Sequence, residues 1–253
     1  MRAPVVVSAG LEAARQTRAL HLALVLLLPV PFLLVAHQLH LEGVAGFGSP
    51  RWNTNLDRSS IEVLGYLQVV AAVLAMLVVW RRGRGRVYAG WAVGLAVIVL
   101  DDALELHERV GSWLAQHVAL PVVPGLLERD VGQLLTWAGL GAVSLLVLLA
   151  THRGSPAAAR RDSWLLGGLV AVLMVFAVVV DMAHRPITAV HDSGAVELLL
   201  MWVEAGGEVT TMTALLAFAF HVERRDRHDA DAPAYADDEP ARAAAAAATS
   251  RPR

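Results

Sequence analysis

Asp101-Asp102-Ala103-Leu104-Glu105-Leu106-His107-Glu108 follows directly on the apolar run Val87 to Leu100. Ionisable groups at membrane depth are costly, and they tend to mark sites. At 100° per residue, Asp101, Glu105 and Glu108 are expected within about 60° of one another on a single helical face. Farther along, Glu197, Glu204 and Glu208 are spaced 7 and 4 apart, which places them within about 40° on another helix. Asp181 and His184 stand at i, i+3 on a third. Two or three carboxylates with one or two imidazoles suit zinc, iron or manganese, and carboxylates alone suit calcium or magnesium. The expected ligands of a divalent metal ion are Asp101, His107, Glu108, Asp181, His184 and Glu204. Glu105 and Glu208 remain as catalytic carboxylates, one acting as general base on a metal-activated water or oxygen. The competing chemistry is protonic. Six or seven acids sharing one cavity cannot all stay ionised, so protons or cations must neutralise them.

The elements that position these groups are membrane helices. The chain has 253 residues, 56% hydrophobic, with a mean hydropathy of +0.53. It reads as an all-α, polytopic helical bundle whose first partner is the lipid bilayer. The net charge of −2 and the lack of any nucleic-acid motif argue against a polyanionic partner, and homo-oligomers or a membrane partner stay open. Cysteine is absent, which excludes disulfides, thiolate ligands and cysteine nucleophiles. All 21 basic residues are arginine, which excludes lysine-based covalent chemistry. Such usage suggests a high-GC bacterial genome, and hence a bacterial inner membrane.

Residues 1–19 read as a short basic leader, residues 20–222 as the transmembrane domain, and residues 226–253 as a disordered acidic and alanine-rich tail. Six spans are expected: Leu20 to Ala36, kinked at Pro29 and Pro31; Ile61 to Trp80, with Glu62 and Tyr66 on one face near its start; Val87 to about Glu108; Val131 to Ala150; Trp164 to about His184; and about Ala195 to Phe220. A short interfacial helix is expected near Trp113 to Val118. Arg81 to Arg86, Arg153 to Arg161 and Arg224-Arg225 fall on one side, which the positive-inside rule makes cytoplasmic, with both termini. The acids of three helices then meet in the outer half of the bundle.

The bland alternative is that Asp101 to Glu108 is a helix end emerging into water. It fits Glu108 and His107 well. It fits Asp101 poorly, because Val87 to Leu100 alone would cover roughly 21 Å of a roughly 30 Å hydrocarbon core. Glu204 and Glu208 are flanked by apolar residues on both sides. His37, His40 and His117 read as solvated rim residues.

Asp101-Asp102-x-x-x-x-His107-Glu108, followed by Glu204-x-x-x-Glu208, resembles a group of bacterial multi-pass membrane proteins of no assigned activity. Their pattern is Asp-Glu-x-x-x-x-His-Glu with an acidic pair on the last helix. Asp102 stands where that pattern has Glu, and Ala205 where a second adjacent acid is common. The resemblance implies the six-helix architecture and no reaction. The chain resembles less closely the membrane hydrolases of the ceramidase and progestin-receptor type, whose zinc site uses three histidines with Ser and Asp. Three function classes follow: a metal-dependent membrane enzyme acting on a lipid or other membrane-associated substrate, a proton- or cation-coupled transporter, and a non-catalytic assembly subunit.

Overall fold

The structure is a computed structural model, and it describes residues 20–183, 187 and 193–231. All regular structure among them is helical. Helix α1 (Pro29–Leu41) completes a first apolar segment that begins at Leu20 and turns at Leu28, where Pro29 takes the first helical position. That position suits proline, whose missing N–H is not needed there. Helix α2 (Ser60–Arg81) and helix α3 (Arg86–Ala103) form an antiparallel pair closed by a tight arginine-rich turn, with Gly83 at φ +77°. Helix α4 (Leu106–His117) is followed by α5 (Glu128–His152) and α6 (Ala157–Met174). Helix α6 widens into a π-helical stretch, Val175–Val180, and stays helical to Ala183. Helix α7 (Gly194–Asp231) is 38 residues long, about 57 Å at 1.5 Å per residue.

Among the described residues, four helical segments are long and apolar enough to cross a membrane: Leu20–Leu41, Ser60–Arg81, Glu128–His152 and Ala157–Ala183. A fifth is made by α3 with α4 if that pair, bent by 67°, counts as one span. Helix α7 is long enough, but Glu197, Glu204 and Glu208 interrupt its apolar outer part. Of the six expected spans, four or five are therefore present by length and composition.

The break between α3 and α4 corrects the expected continuous third span. Glu105 takes the left-handed conformation, φ 53° and ψ 38°. The cause lies four residues earlier. The Asp101 carboxylate folds back and accepts the His107 backbone N–H at 2.9 Å, supplying one of the first-turn acceptors that a new helix lacks. With the chain reset there, Asp101, Glu105 and Glu108 no longer share one helical face.

The helices pack around an apolar inner half. Met76 and Val79 of α2, Val87 and Leu95 of α3, and Leu215 and Ala219 of α7 are buried together there. Helices α2 and α7 run parallel along their length, from Gly65 beside Met212 down to Arg82 beside Asp226. Helix α5 lies antiparallel on α3, where Gly90 admits Thr151 and Gly94 admits Ser144. Helix α6 lies on α7 and on the inner end of α3. Beyond the turn that joins them, α5 and α6 hardly touch. The expected tail boundary at residue 226 also moves, since α7 continues as one helix to Asp231.

Candidate functional site

Helices α3, α5, α6 and α7, with the start of α2, enclose a cavity of about 390 Å³. Its outer end is lined by Glu62, Asp101, Asp102, His107, Glu108, Asp181, Glu204 and Glu208, and among the described residues no arginine lines it. Its inner end is apolar, walled by residues such as Ile98, Leu145, Leu148, Val170 and Leu173.

One wall is built around Asp101, which is 6% exposed. Besides the His107 backbone N–H, it meets two side-chain donors. Trp137 Nε1 donates to Oδ2 at 3.0 Å, and His107 Nδ1 lies 3.2 Å from the same oxygen. A carboxylate only accepts, so Nδ1 carries the proton and Nε2 is the ring nitrogen left for other partners. The indole of Trp137 also packs on the imidazole, ring centroids 4.5 Å apart. Glycines fix this register. A Cβ on Gly132 would sit 2.3 Å from the Gly111 carbonyl oxygen, so the start of α5 and α4 meet backbone to backbone. Paired antiparallel at that point, the two helices bring His107 opposite Trp137.

The facing wall comes from α2 and α7. Tyr66 donates to Glu62 Oε2 at 3.2 Å and also reaches Asp102. Glu62 accepts the Arg58 backbone N–H at 2.6 Å. A second cavity of about 50 Å³ lies behind, lined by Thr54 and Tyr66, and it shares Glu62, Asp102, Glu204 and Glu208 with the first. These four carboxylates therefore stand between two spaces. The charged groups that face Glu208 are Asp102, Glu204, Glu62 and Asp181, all acidic. No hydrogen bond or ion pair reaches Glu208 among the described residues. On α6, the π-helical stretch lets the Phe176 ring lie where a Cβ on Gly207 would be, 2.3 Å away, and Asp181 follows it into the cavity lining. Such bulges recur at functional sites.

Of the residues singled out by sequence, Asp101, His107, Glu108, Asp181, Glu204 and Glu208 line one cavity. Glu105 does not line it. Its carboxylate lies at the rim between Arg58 at 3.2 Å and Arg109 at 3.3 Å, because the left-handed turn aims it away. His184 lies outside the described residues. His37 is a correction of another kind. It is 2% exposed rather than solvated, and its Nδ1 accepts the Thr54 N–H at 3.0 Å, tying the loop after α1 over the outer end. Sequence reasoning left out Glu62, Tyr66, Asp102 and Trp137 as site residues. The Glu62–Tyr66 spacing at the start of an apolar span was the available signal for two of them. Nothing in sequence pointed to Trp137. Among the described residues, no three of the acids and histidines converge as a metal ligand set.

The fold and cavity define a helical protein of membrane-spanning character with an acid-lined space among its helices. The chain belongs to the family described as a domain of unknown function, DUF8692, whose model matches residues 5–222. No curated protein and no solved structure matches it.

Proposed function

We propose that the chain is a metal-dependent membrane enzyme whose acid-lined cavity holds a divalent ion near the outer surface of a bacterial inner membrane. The topology behind this reading has six spans, with α7 as the last and both termini cytoplasmic. The arginines at one end of the bundle, including Arg82, Arg84, Arg160 and Arg225, support that orientation.

The observation that carries the reading is the Asp101–His107 pair. A carboxylate behind a histidine fixes the tautomer and aims the second nitrogen, which is the arrangement that metal-ligating histidines use. Asp101 then acts as the positioning group rather than as a ligand. His107 Nε2, Asp102, Glu62 and Glu204 form the ligand pool, with Asp181 and Glu108 at its margins. A bound divalent ion would supply Lewis acidity and a nucleophilic water at neutral pH. Glu208, outside that pool and without a hydrogen bond or ion pair among the described residues, would take the proton from that water.

Elemental mass spectrometry of the detergent-purified chain tests the reading, with His107→Ala and Glu204→Gln measured beside it. A stoichiometric metal lost in both variants is expected. Metal content that ignores both substitutions, or no metal in any of the three, defeats it.

One observation favours a proton-coupled transporter as the second reading. Inward of Glu208, Thr213 donates to Gln68 at 3.0 Å inside the core, and the Gln68 amide nitrogen is buried without a partner. That pair is a polar step below the cavity. Beyond it Met76, Val79, Leu215 and Ala219 close the core, so a path would need the helices to part. Proton flux in proteoliposomes that Gln68→Leu abolishes would favour transport over the enzyme.

A further inference from the structure

The cavity has two unlike ends and a side opening. Along α3 it runs from Asp101 back to Trp91, ten residues or roughly 15 Å. The inner arm is wholly apolar along α5 and α6 except for Ser144. Those two helices wall the arm from both sides with few backbone contacts between them, and Leu145 of the lining is 55% exposed on the outer surface of the bundle. Among the described residues the outer end is lined by acids without an arginine, and no hydrogen bond or ion pair reaches Glu208.

An apolar arm beside lipid would admit any alkyl chain. The end wall decides which head can follow it. A phosphate or sulfate head would meet Glu62, Asp102, Glu204 and Glu208 at close range, whereas a cationic head would supply the counter-charge that Glu208 lacks. We propose that the cavity takes a single-chain amphiphile with an amine head, which enters sideways from the bilayer between α5 and α6 and seats its cation among these carboxylates. The proposal rests on the reading of the acidic end as a site and names the chemistry of its substrate. It does not need the metal, since the amine brings the positive charge itself.

Gly141 of α5 offers a way to close the arm alone. It lines the cavity, and a Cβ built there meets nothing within 4 Å, so Gly141→Leu adds bulk to empty space without displacing protein. Gly139 is equally open and does not line the cavity, so Gly139→Leu is the matched control.

The experiment uses the full chain in nanodiscs and quenching of its tryptophan fluorescence, since Trp91 and Trp137 line the cavity. The probes are three dodecyl chains brominated at the tail, bearing an amine, an alcohol or a sulfate head. The amine is expected to bind about tenfold more tightly than the alcohol, with the sulfate weakest. Glu208→Gln should remove most of that preference. Gly141→Leu should remove the share of quenching that comes from Trp91 and Trp137, while Gly139→Leu leaves it intact. Equal binding of the three heads, or undiminished quenching in Gly141→Leu, overturns the proposal. Metal content measured on the same samples separates the two readings. Amine selectivity in a chain that never holds metal defeats only the metal site. Bound metal without amine selectivity defeats only this proposal.

Discussion

The two ends of the bundle use buried acids in opposite ways. At the inner end, Asp162 of α6 accepts the Tyr88 hydroxyl at 2.6 Å and pairs with Arg225. Asp226 of α7 pairs with Arg82 and Arg84, and Glu223 with Arg82 at 3.0 Å and with Arg227. Asp162, Glu223 and Asp226 are each at most 5% exposed, and each has an arginine. Together they tie α2, α6 and α7 and the turn before α3 into one knot. At the outer end, Glu62, Asp102 and Glu208 lean on a tyrosine, a backbone N–H or nothing. Among the described residues, Arg58 and Arg109 near this end both go to Glu105 at the rim. The same side-chain chemistry is closed on itself below and left open above. Acids that serve stability come with their cations built in. Acids held near one another without cations are what a ligand-binding end requires.

The largest effect that tests this contrast is at the inner end. Asp162→Ala takes the carboxylate away from Arg225 and from the Tyr88 hydroxyl in a site that is mostly enclosed. Breaking a fully buried pair costs about 3–5 kcal/mol, and the partial exposure of Arg225, 35% of its side chain, brings the expected loss to about 2–3 kcal/mol. Denaturant unfolding in detergent measures it. At the outer end, Glu208→Gln replaces a carboxyl group that no hydrogen bond or ion pair reaches among the described residues, so stability should hold or rise in the same assay. If Glu208→Gln destabilises the chain as much as Asp162→Ala, the two ends do not differ in kind and the outer acids are structural.

A second test sharpens the outer end itself. Asp101→Asn keeps one acceptor oxygen, enough for the His107 backbone N–H, but puts an amide NH₂ where Oδ2 accepts from Trp137 and stands behind His107 Nδ1. On the proposed reading, metal affinity should fall about 10–100-fold, the usual effect of losing a carboxylate behind a ligating histidine. Isothermal titration of the metal-depleted protein gives the number. An unchanged affinity would reduce Asp101 to the cap of α4.

The helical class and the three acidic helices were legible because composition and 3.6-residue spacing carry them directly. The break at Glu105 was not. It depends on a side chain four residues earlier turning back to cap α4, and no glycine, asparagine or proline marks the left-handed residue. The π-helical stretch was equally silent, since Val175 to Val180 reads as an ordinary apolar run. Trp137 belongs to the site only through the Gly111–Gly132 approach, a contact between helices that sequence spacing does not reveal. The end of α7 read as a disordered tail from Asp226 because the partners of Asp226, Arg82 and Arg84, stand some 140 residues earlier.

The smallest expected effect concerns Glu105, which sequence spacing placed among the catalytic carboxylates. Its two ion pairs are half in water, with Arg58 62% and Arg109 61% exposed, and such pairs contribute about 0–1 kcal/mol. Its left-handed backbone works against it, since a Cβ in that conformation costs about 1–2 kcal/mol relative to glycine. The two terms nearly cancel in Glu105→Gly, so stability should stay within about 1 kcal/mol of wild type. Glu105→Ala keeps the Cβ and loses only the pairs, so it should be the less stable of the two. Neither substitution should alter metal content or amphiphile binding, because the carboxylate faces away from the cavity. A loss of bound metal in both variants would return Glu105 to the site and would mean that the turn between α3 and α4 rearranges when the site is filled.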